Sequence, residues 1–179
     1  CEIISRRHLD ADFSFQKAFA TVWPDLFCFT NFPHLLELLA ATPNRPNLYG
    51  ELVNNSEITR QRSRALEQKA QALGVPLIVS NNSFFLHPDD WEIHRILTAV
   101  GLASTLSRLK PEEYASRRAF FKSPGDVERS FCNHHEAIRN TRIIADGCNT
   151  ELELDRWILP EVGVPDGYTP DSYLGKLAQ

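Results

Sequence analysis

Three short apolar runs alternate with longer segments in which apolar residues recur at helical spacing. The runs cover residues 26–30, 48–53 and 75–80, and each has the length of a strand buried in a parallel sheet. A leucine-rich helix is predicted over residues 33–41, and a longer helix over Glu57–Leu73. Because strands and helices alternate in this way, the sequence predicts βαβ units and a mostly parallel sheet with flanking helices.

Helix-boundary residues extend this pattern. Gly74 suits the C-terminal end of the second helix, and Pro88 suits the first turn of a helix that ends at Gly101. This helix carries apolar residues at i, i+3, i+4 and i+7, namely Ile93, Ile96, Leu97 and Val100.

The last third of the chain is predicted to be helical with an extended connector. Ser123 followed by Pro124 and an acidic residue at position 126 indicates a helix start. A further helix is predicted over residues 135–148, and a final one begins at Thr169-Pro170. Residues 159–170 contain prolines and glycines and are expected to form an extended connector.

Composition is typical of a globular protein. The chain has 179 residues, 42% of them hydrophobic and 23% charged, and a net charge of −4, which argues against attachment to DNA by bulk charge alone. No apolar run approaches the ~18 residues of a membrane span, so no membrane contact is expected. The chain begins at Cys1 and contains no methionine, which suggests a segment of a longer protein.

The cysteines indicate a reducing compartment, so a cytoplasmic location is predicted. They are widely spaced and form no Cys-x-x-Cys pair, which fits free thiols better than a disulfide framework. Two of them sit among apolar residues and are expected to be small buried side chains: Cys28 and Cys148.

Common catalytic motifs are absent from the sequence. It contains no Gly-x-Gly-x-x-Gly, no P-loop, no Gly-x-Ser-x-Gly and no His-x-His. The loop after the third predicted strand, where α/β proteins usually place their chemistry, is Asn81-Asn82-Ser83-Phe84. This loop offers amides, a hydroxyl and a phenyl ring, but no Asp, Glu, His or Cys.

The histidines and one strand carboxylate are weak candidates. His134 and His135 are adjacent at a helix start and are expected to be solvated. His94 is expected either at the surface or in the core with its hydrogen-bonding groups satisfied. His87 precedes the proline at its helix start. Glu51 is the one acid in a buried-looking strand, and it either faces a polar rim or has a function.

A basic stretch lies between residues 108 and 122. Its side chains could contact phosphate, and we single out Arg117 and Arg118 as candidate DNA contacts. The alternative is a solvated, irregular face.

Several stretches together resemble a known family. They are "ALGVPLIVSNN", "HPDDWEIHRIL", "FFKSPGDVERSF" and "EAIRNTRIIADGCNTELELDRWILPEVGVPDGYTPDSYL". These are similar to the polymerase-and-histidinol-phosphatase (PHP) domain of the bacterial C-family replicative polymerases, the family of the DNA polymerase III alpha subunit. The resemblance covers roughly residues 48–179 well. Residues 1–47 match loosely, through "RRHLDADFSF" and "LFCFT".

The resemblance implies part of a distorted (β/α)7 barrel followed by a helical linker region. Residues 1–122 would be a partial PHP-like α/β domain, and residues 123–179 a helical segment and connector leading toward a missing polymerase palm. Many family members hold metal ions, zinc or manganese, at the strand carboxyl ends. The family's Asp-x-His motif would fall on Asn82 and Phe84, and its Cys ligand near Asn31 or Phe32. An amide lacks the carboxylate's charge and phenylalanine cannot ligate, so a degraded metal site with no bound cofactor is expected.

The resemblance therefore implies a segment of a DNA-directed DNA polymerase that is itself inactive and serves structure or partner docking. The parent would use magnesium, and its partners would be DNA, a proofreading exonuclease subunit and a sliding clamp. One alternative is a metal-dependent PHP phosphoesterase or 3′–5′ exonuclease. Another is a protein-interaction module without a nucleic-acid role.

Overall fold

The computed structural model describes residues 2–150 and 163–178, apart from the side chains of residues 2, 6, 15 and 16. It divides into two compact units, Cys1–Cys148 and Asn149–Gln179. Within the described residues, every helix is too short or too polar to cross a membrane. The eight α-helices of the described residues are α1 (Glu2–Leu9), α2 (Phe15–Phe19), α3 (Pro33–Ala40), α4 (Glu57–Leu73), α5 (Trp91–Gly101), α6 (Pro124–Ser130), α7 (His135–Gly147) and α8 (Pro170–Leu177).

The first unit contains a parallel sheet of three strands in the order β1 (Cys28–Thr30), β2 (Leu48–Val53) and β3 (Leu77–Ser80). Helix α3 connects the first two strands and α4 the second pair, which confirms the predicted βαβ alternation. The described residues form no closed barrel, so the seven-stranded barrel stays an expectation.

Two strands are shorter than predicted, because their first residues are used elsewhere. The Leu26 N–H donates to the Trp23 carbonyl in a turn before β1. The Val75 N–H donates to the Ala70 carbonyl at the end of α4, where Gly74 is left-handed with φ of 64°. These residues therefore belong to a turn and a helix cap, although they are apolar.

The core lies between the sheet and helices α3 and α4. Leu36 of α3 and Leu66 of α4 are fully buried, and they pack with Leu48 and Leu52 of the central strand. Gly50 leaves room for its neighbours, because a Cβ there would lie 2.8 Å from Leu77 Cδ2 of β3 and 3.4 Å from Leu66 Cδ2 of α4. The sheet is thus sealed on its helical face.

Helix α7 covers the outer edge of β3. The Thr141 hydroxyl oxygen accepts from the Val79 N–H at 3.1 Å and lies 3.1 Å from the Val79 carbonyl oxygen. Asn140 Nδ2 donates to the Leu77 carbonyl at 2.9 Å. These side chains satisfy backbone groups that an unpaired edge would offer to another chain. Helix α7, which was predicted as part of the segment after residue 122, thus packs in the same unit as the sheet.

The apolar stripe on α5 faces outward. Leu97 is 64% exposed and Val100 is 72% exposed, whereas the neighbouring Ala99 is buried. The helix is fixed instead at its start, where the Trp91 indole N–H donates to the Ala115 carbonyl at 2.9 Å.

Candidate functional site

The carboxyl ends of β2 and β3 lie side by side, with Val53 paired to Ser80. Each strand is followed by the tripeptide Asn-Asn-Ser, at residues 54–56 and 81–83. Ligand sites of parallel α/β sheets are built at this edge. The sequence prediction identified the second loop and missed the first, although the repeated tripeptide was the available signal.

The first loop caps a helix and holds its neighbour in place. Ser56 Oγ accepts from the Thr59 N–H at 3.1 Å, and the Ser56 N–H donates to Thr59 Oγ1 at 2.9 Å, which forms a capping box at the start of α4. Asn55 is only 5% exposed, and its Nδ2 donates to the carbonyls of Asn81 and Asn82 at 3.3 and 3.4 Å. Asn55 therefore ties the two loops together.

The second loop leads into an extended segment. Asn82 has a left-handed φ of 44°, and its N–H donates to Ser80 Oγ at 3.0 Å. The Phe84 N–H then donates to the Ala119 carbonyl, and the Phe121 N–H donates to the Phe85 carbonyl, both at 2.9 Å. The chain after β3 thus pairs briefly with residues 119–121.

Phe84 is 56% exposed and packs its ring 5.6 Å from the ring of His94. His94 Nε2 accepts from the Ala115 N–H at 3.0 Å, so the half-buried imidazole is satisfied by a backbone contact and by packing, as expected. In the described residues, no three His, Cys, Asp or Glu side chains are grouped to hold a metal ion. The assignment of Asn82 and Phe84 as former ligand positions stays a prediction.

The prediction of a solvated histidine pair is wrong for one of the two residues. His134 Nε2 contacts Glu67 Oε1, and the two side chains are about one-third exposed. The cause is tertiary, because α7 begins beside α4, which sequence spacing does not reveal. His135 is exposed as expected, and His87 is exposed with its backbone N–H donating to Asp90 Oδ2 at 2.8 Å.

Glu51 lies on the sheet face opposite the core. It lines a cavity of about 690 Å³ together with Ile78, Phe121 and Arg142. Most of the surface that lines this cavity is apolar. The prediction that Glu51 faces a polar rim is therefore wrong. Side chains of helices α6 and α7 also line this cavity, so Glu51 lies between the sheet and these two helices.

The two cysteines that were predicted to be buried differ in their exposure. Cys28 is buried in the core, and burial raises the pKa of its thiol. Cys148 is exposed, contrary to prediction, because it lies just past the last turn of α7. Both are free thiols, as is Cys132.

The two candidate DNA contacts, Arg117 and Arg118, have different neighbours in the structure. The Arg117 guanidinium lies 5.9 Å from the Trp91 ring centre. Arg118 lines a separate pocket of about 460 Å³ with Lys122 and Arg129, beside Asn54 of the first loop. The two adjacent arginines therefore lie in different surroundings, and their role as DNA contacts stays a prediction.

Known proteins provide a further comparison. No family model matches the chain. It is 33% identical over 115 residues to the error-prone DNA polymerase of Symbiobacterium thermophilum, which covers 64% of this chain and 11% of that protein. It is 29% identical over 141 residues to the DNA polymerase III subunit alpha of Pseudomonas aeruginosa, covering 78% of this chain and 12% of the relative. The corresponding subunit of Chlamydia trachomatis is 32% identical over 102 residues, which are 52% of this chain and 8% of that protein.

The chain spans only about a tenth of the length of these relatives. The resemblance inferred from the sequence is confirmed, because the chain is homologous to a segment of bacterial DNA polymerase III alpha subunits and error-prone DNA polymerases.

Proposed function

We propose that this chain is the carboxyl-terminal part of a PHP-type domain in a bacterial DNA polymerase III alpha-type protein, and that it serves structure and partner docking rather than hydrolysis. The parent protein would be a cytoplasmic DNA-directed DNA polymerase, with magnesium chemistry in a palm region outside this chain. Its partners would be DNA, a proofreading exonuclease subunit and a sliding clamp. The homology to polymerase segments supports the parent assignment.

One observation carries the non-hydrolytic part of the proposal. Asn55 bonds to the carbonyls of Asn81 and Asn82, so amide–carbonyl hydrogen bonds fill the edge where a metal site would need converging carboxylates and imidazoles. Phe84 adds an apolar ring against His94 rather than a ligand. This arrangement is suited to joining two loops, and it offers little to a divalent cation.

The proposal is tested by metal content and hydrolysis in the intact protein. Elemental analysis after dialysis without chelator should find no stoichiometric zinc or manganese. The protein should also release no nucleotide from single-stranded DNA when its polymerase substrates are omitted. Stoichiometric metal, together with DNA hydrolysis that is lost in Asn82→Ala, would favour the metal-dependent phosphoesterase or exonuclease alternative.

A restoring variant sharpens this test. Asn82→Asp combined with Phe84→His rebuilds the expected Asp-x-His pattern, and Asn82→Asp combined with Phe84→Leu is the matched control without an imidazole. A gain of metal only in the first variant supports a degraded site. If neither variant gains metal, the further ligands that a site needs are also missing, which still fits a structural role.

A further inference from the structure

The face of the sheet opposite the core presents one carboxylate to a largely apolar cavity. Because side chains alternate along a strand, Glu51 shares this face with Phe29 of β1 and with Ile78, its paired residue on β3. The cavity has a volume of about 690 Å³, which lies within the usual range for small-ligand sites. Side chains of α6 and α7 line it as well, so Glu51 faces a space between two layers of the fold.

The Glu51 carboxylate has no partner in the fold. Within the described part of the chain, no hydrogen bond or ion pair reaches it, and the residue is half-buried. Its oxygens retain accessible surface, so a molecule in the cavity can contact them. An ionised carboxylate that is partly removed from water and left unpaired costs free energy, and a cation in the cavity would recover that free energy.

The two cationic side chains that line the cavity do not supply this partner. The Arg142 guanidinium lies 3.6 Å from the Asp146 carboxylate on the next turn of α7, and its side chain is 85% exposed. The Lys122 ammonium lies 5.7 Å from the Phe120 ring centre and forms no ion pair with a described carboxylate. The charge of Glu51 is therefore available to a ligand.

We propose that this cavity binds a small organic cation, a protonated amine on an apolar body, with Glu51 as the counter-ion of the ammonium group. The apolar body contacts the sheet at Ile78 and α7 at Ile138. Phe29 and Phe121 also line the cavity, and aromatic rings attract cations as well as apolar groups. A neutral ligand of the same shape gains the apolar contacts only. This inference rests on the cavity alone and does not depend on the PHP assignment.

The test compares two matched ligands on the intact protein by ligand-observed NMR titration near neutral pH. The probes are 4-phenylbutylamine, which is cationic under these conditions, and 4-phenylbutanol, its neutral isostere. The amine should bind saturably and about tenfold more tightly than the alcohol, the usual scale for a charge-assisted contact. Glu51→Gln should remove this preference. Glu128→Gln is the matched control, because it deletes an exposed carboxylate of the same cavity, and it should change the affinity for the amine less than about twofold.

A second pair of variants tests the location of the ligand. Ala145→Trp fills part of the cavity from an exposed position of α7 and should abolish binding of the amine. Ala65→Trp makes the same change at an exposed position of α4 that does not line the cavity, and it should leave binding unchanged. Equal affinities for the amine and the alcohol, no saturable binding of the amine, or binding that survives Ala145→Trp would overturn the proposal. These comparisons remain decisive if Glu51→Gln fails to fold, which circular dichroism would reveal.

Discussion

The two Asn-Asn-Ser loops have the same composition and equivalent positions on adjacent parallel strands, yet they form different structures. Residues 54–56 start helix α4, whereas residues 81–83 lead into an extended segment that pairs with residues 119–121. The tripeptide fixes which hydrogen-bonding groups are available. The residues that follow decide their use: Glu57-Ile58-Thr59 complete a capping box, while Phe84 and Phe85 bring backbone groups to a neighbouring segment.

The loops also differ in how much of the fold depends on them. Asn55 is buried and bonds to the other loop through its side chain, and its Oδ1 lies 3.3 Å from the Thr59 hydroxyl. The matching residue, Asn82, contributes through its backbone, since its carbonyl accepts from Asn55. The first loop is therefore expected to be sensitive to side-chain changes and the second to changes that affect backbone conformation.

The largest effect is expected at Asn55. Asn55→Ala removes the donor for two carbonyls at a buried position, and it should lower the free energy of unfolding by about 2 kcal/mol. Asn81→Ala is the control in the second loop and should cost less, because its amide contacts Ser83 and the Phe120 carbonyl near the surface. The measurement is urea unfolding of the intact protein. Equal costs at the two positions would remove the proposed difference between the loops.

An intermediate effect is expected from the two serines. Ser56→Ala deletes the side-chain cap of α4 and should cost about 1 kcal/mol, the usual value for an N-cap. Ser83→Ala deletes a hydroxyl that caps no helix and should cost under about 0.5 kcal/mol. Thermal unfolding of both variants under one set of conditions checks the ranking. A larger loss in Ser83→Ala would show that the second loop has more side-chain dependence than its exposed position implies.

The sequence predicted the helices and strands well where the information that determines them is local. Helix α4, strand β2 and the starts of α6 and α8 follow from apolar spacing and from cap residues such as Ser123 and Thr169. Features that depend on tertiary contacts were missed. Glu67 meets His134 across 67 positions of sequence, and Thr141 satisfies the backbone of Val79 from a helix whose own pattern shows only amphipathicity.

The candidate site was predicted in the same uneven way. The loop after β3 was identified from strand position alone, because the carboxyl end of a parallel strand is a general location for function. The divergence of Arg117 and Arg118 was not predictable, since adjacent residues in an irregular segment have no fixed relative direction. The role of Asn55 needs the register of β2 and β3, which pairs Val53 with Ser80 and brings the loops together.

The most specific effect concerns Asn82, whose φ of 44° is left-handed, and the smallest change is expected for its glycine variant. Asn82→Gly should leave the free energy of unfolding within a few tenths of a kcal/mol, because glycine adopts this conformation freely. Asn82→Val should cost about 1–2 kcal/mol, because a β-branched side chain is disfavoured there. The same substitutions at Asn55, which has no positive φ, should both be costly, since each removes the bridging amide. Equilibrium unfolding of the four variants therefore separates a backbone requirement from a side-chain requirement. If glycine were as damaging at position 82 as at position 55, the Asn82 side chain would have a role that its described contacts do not explain.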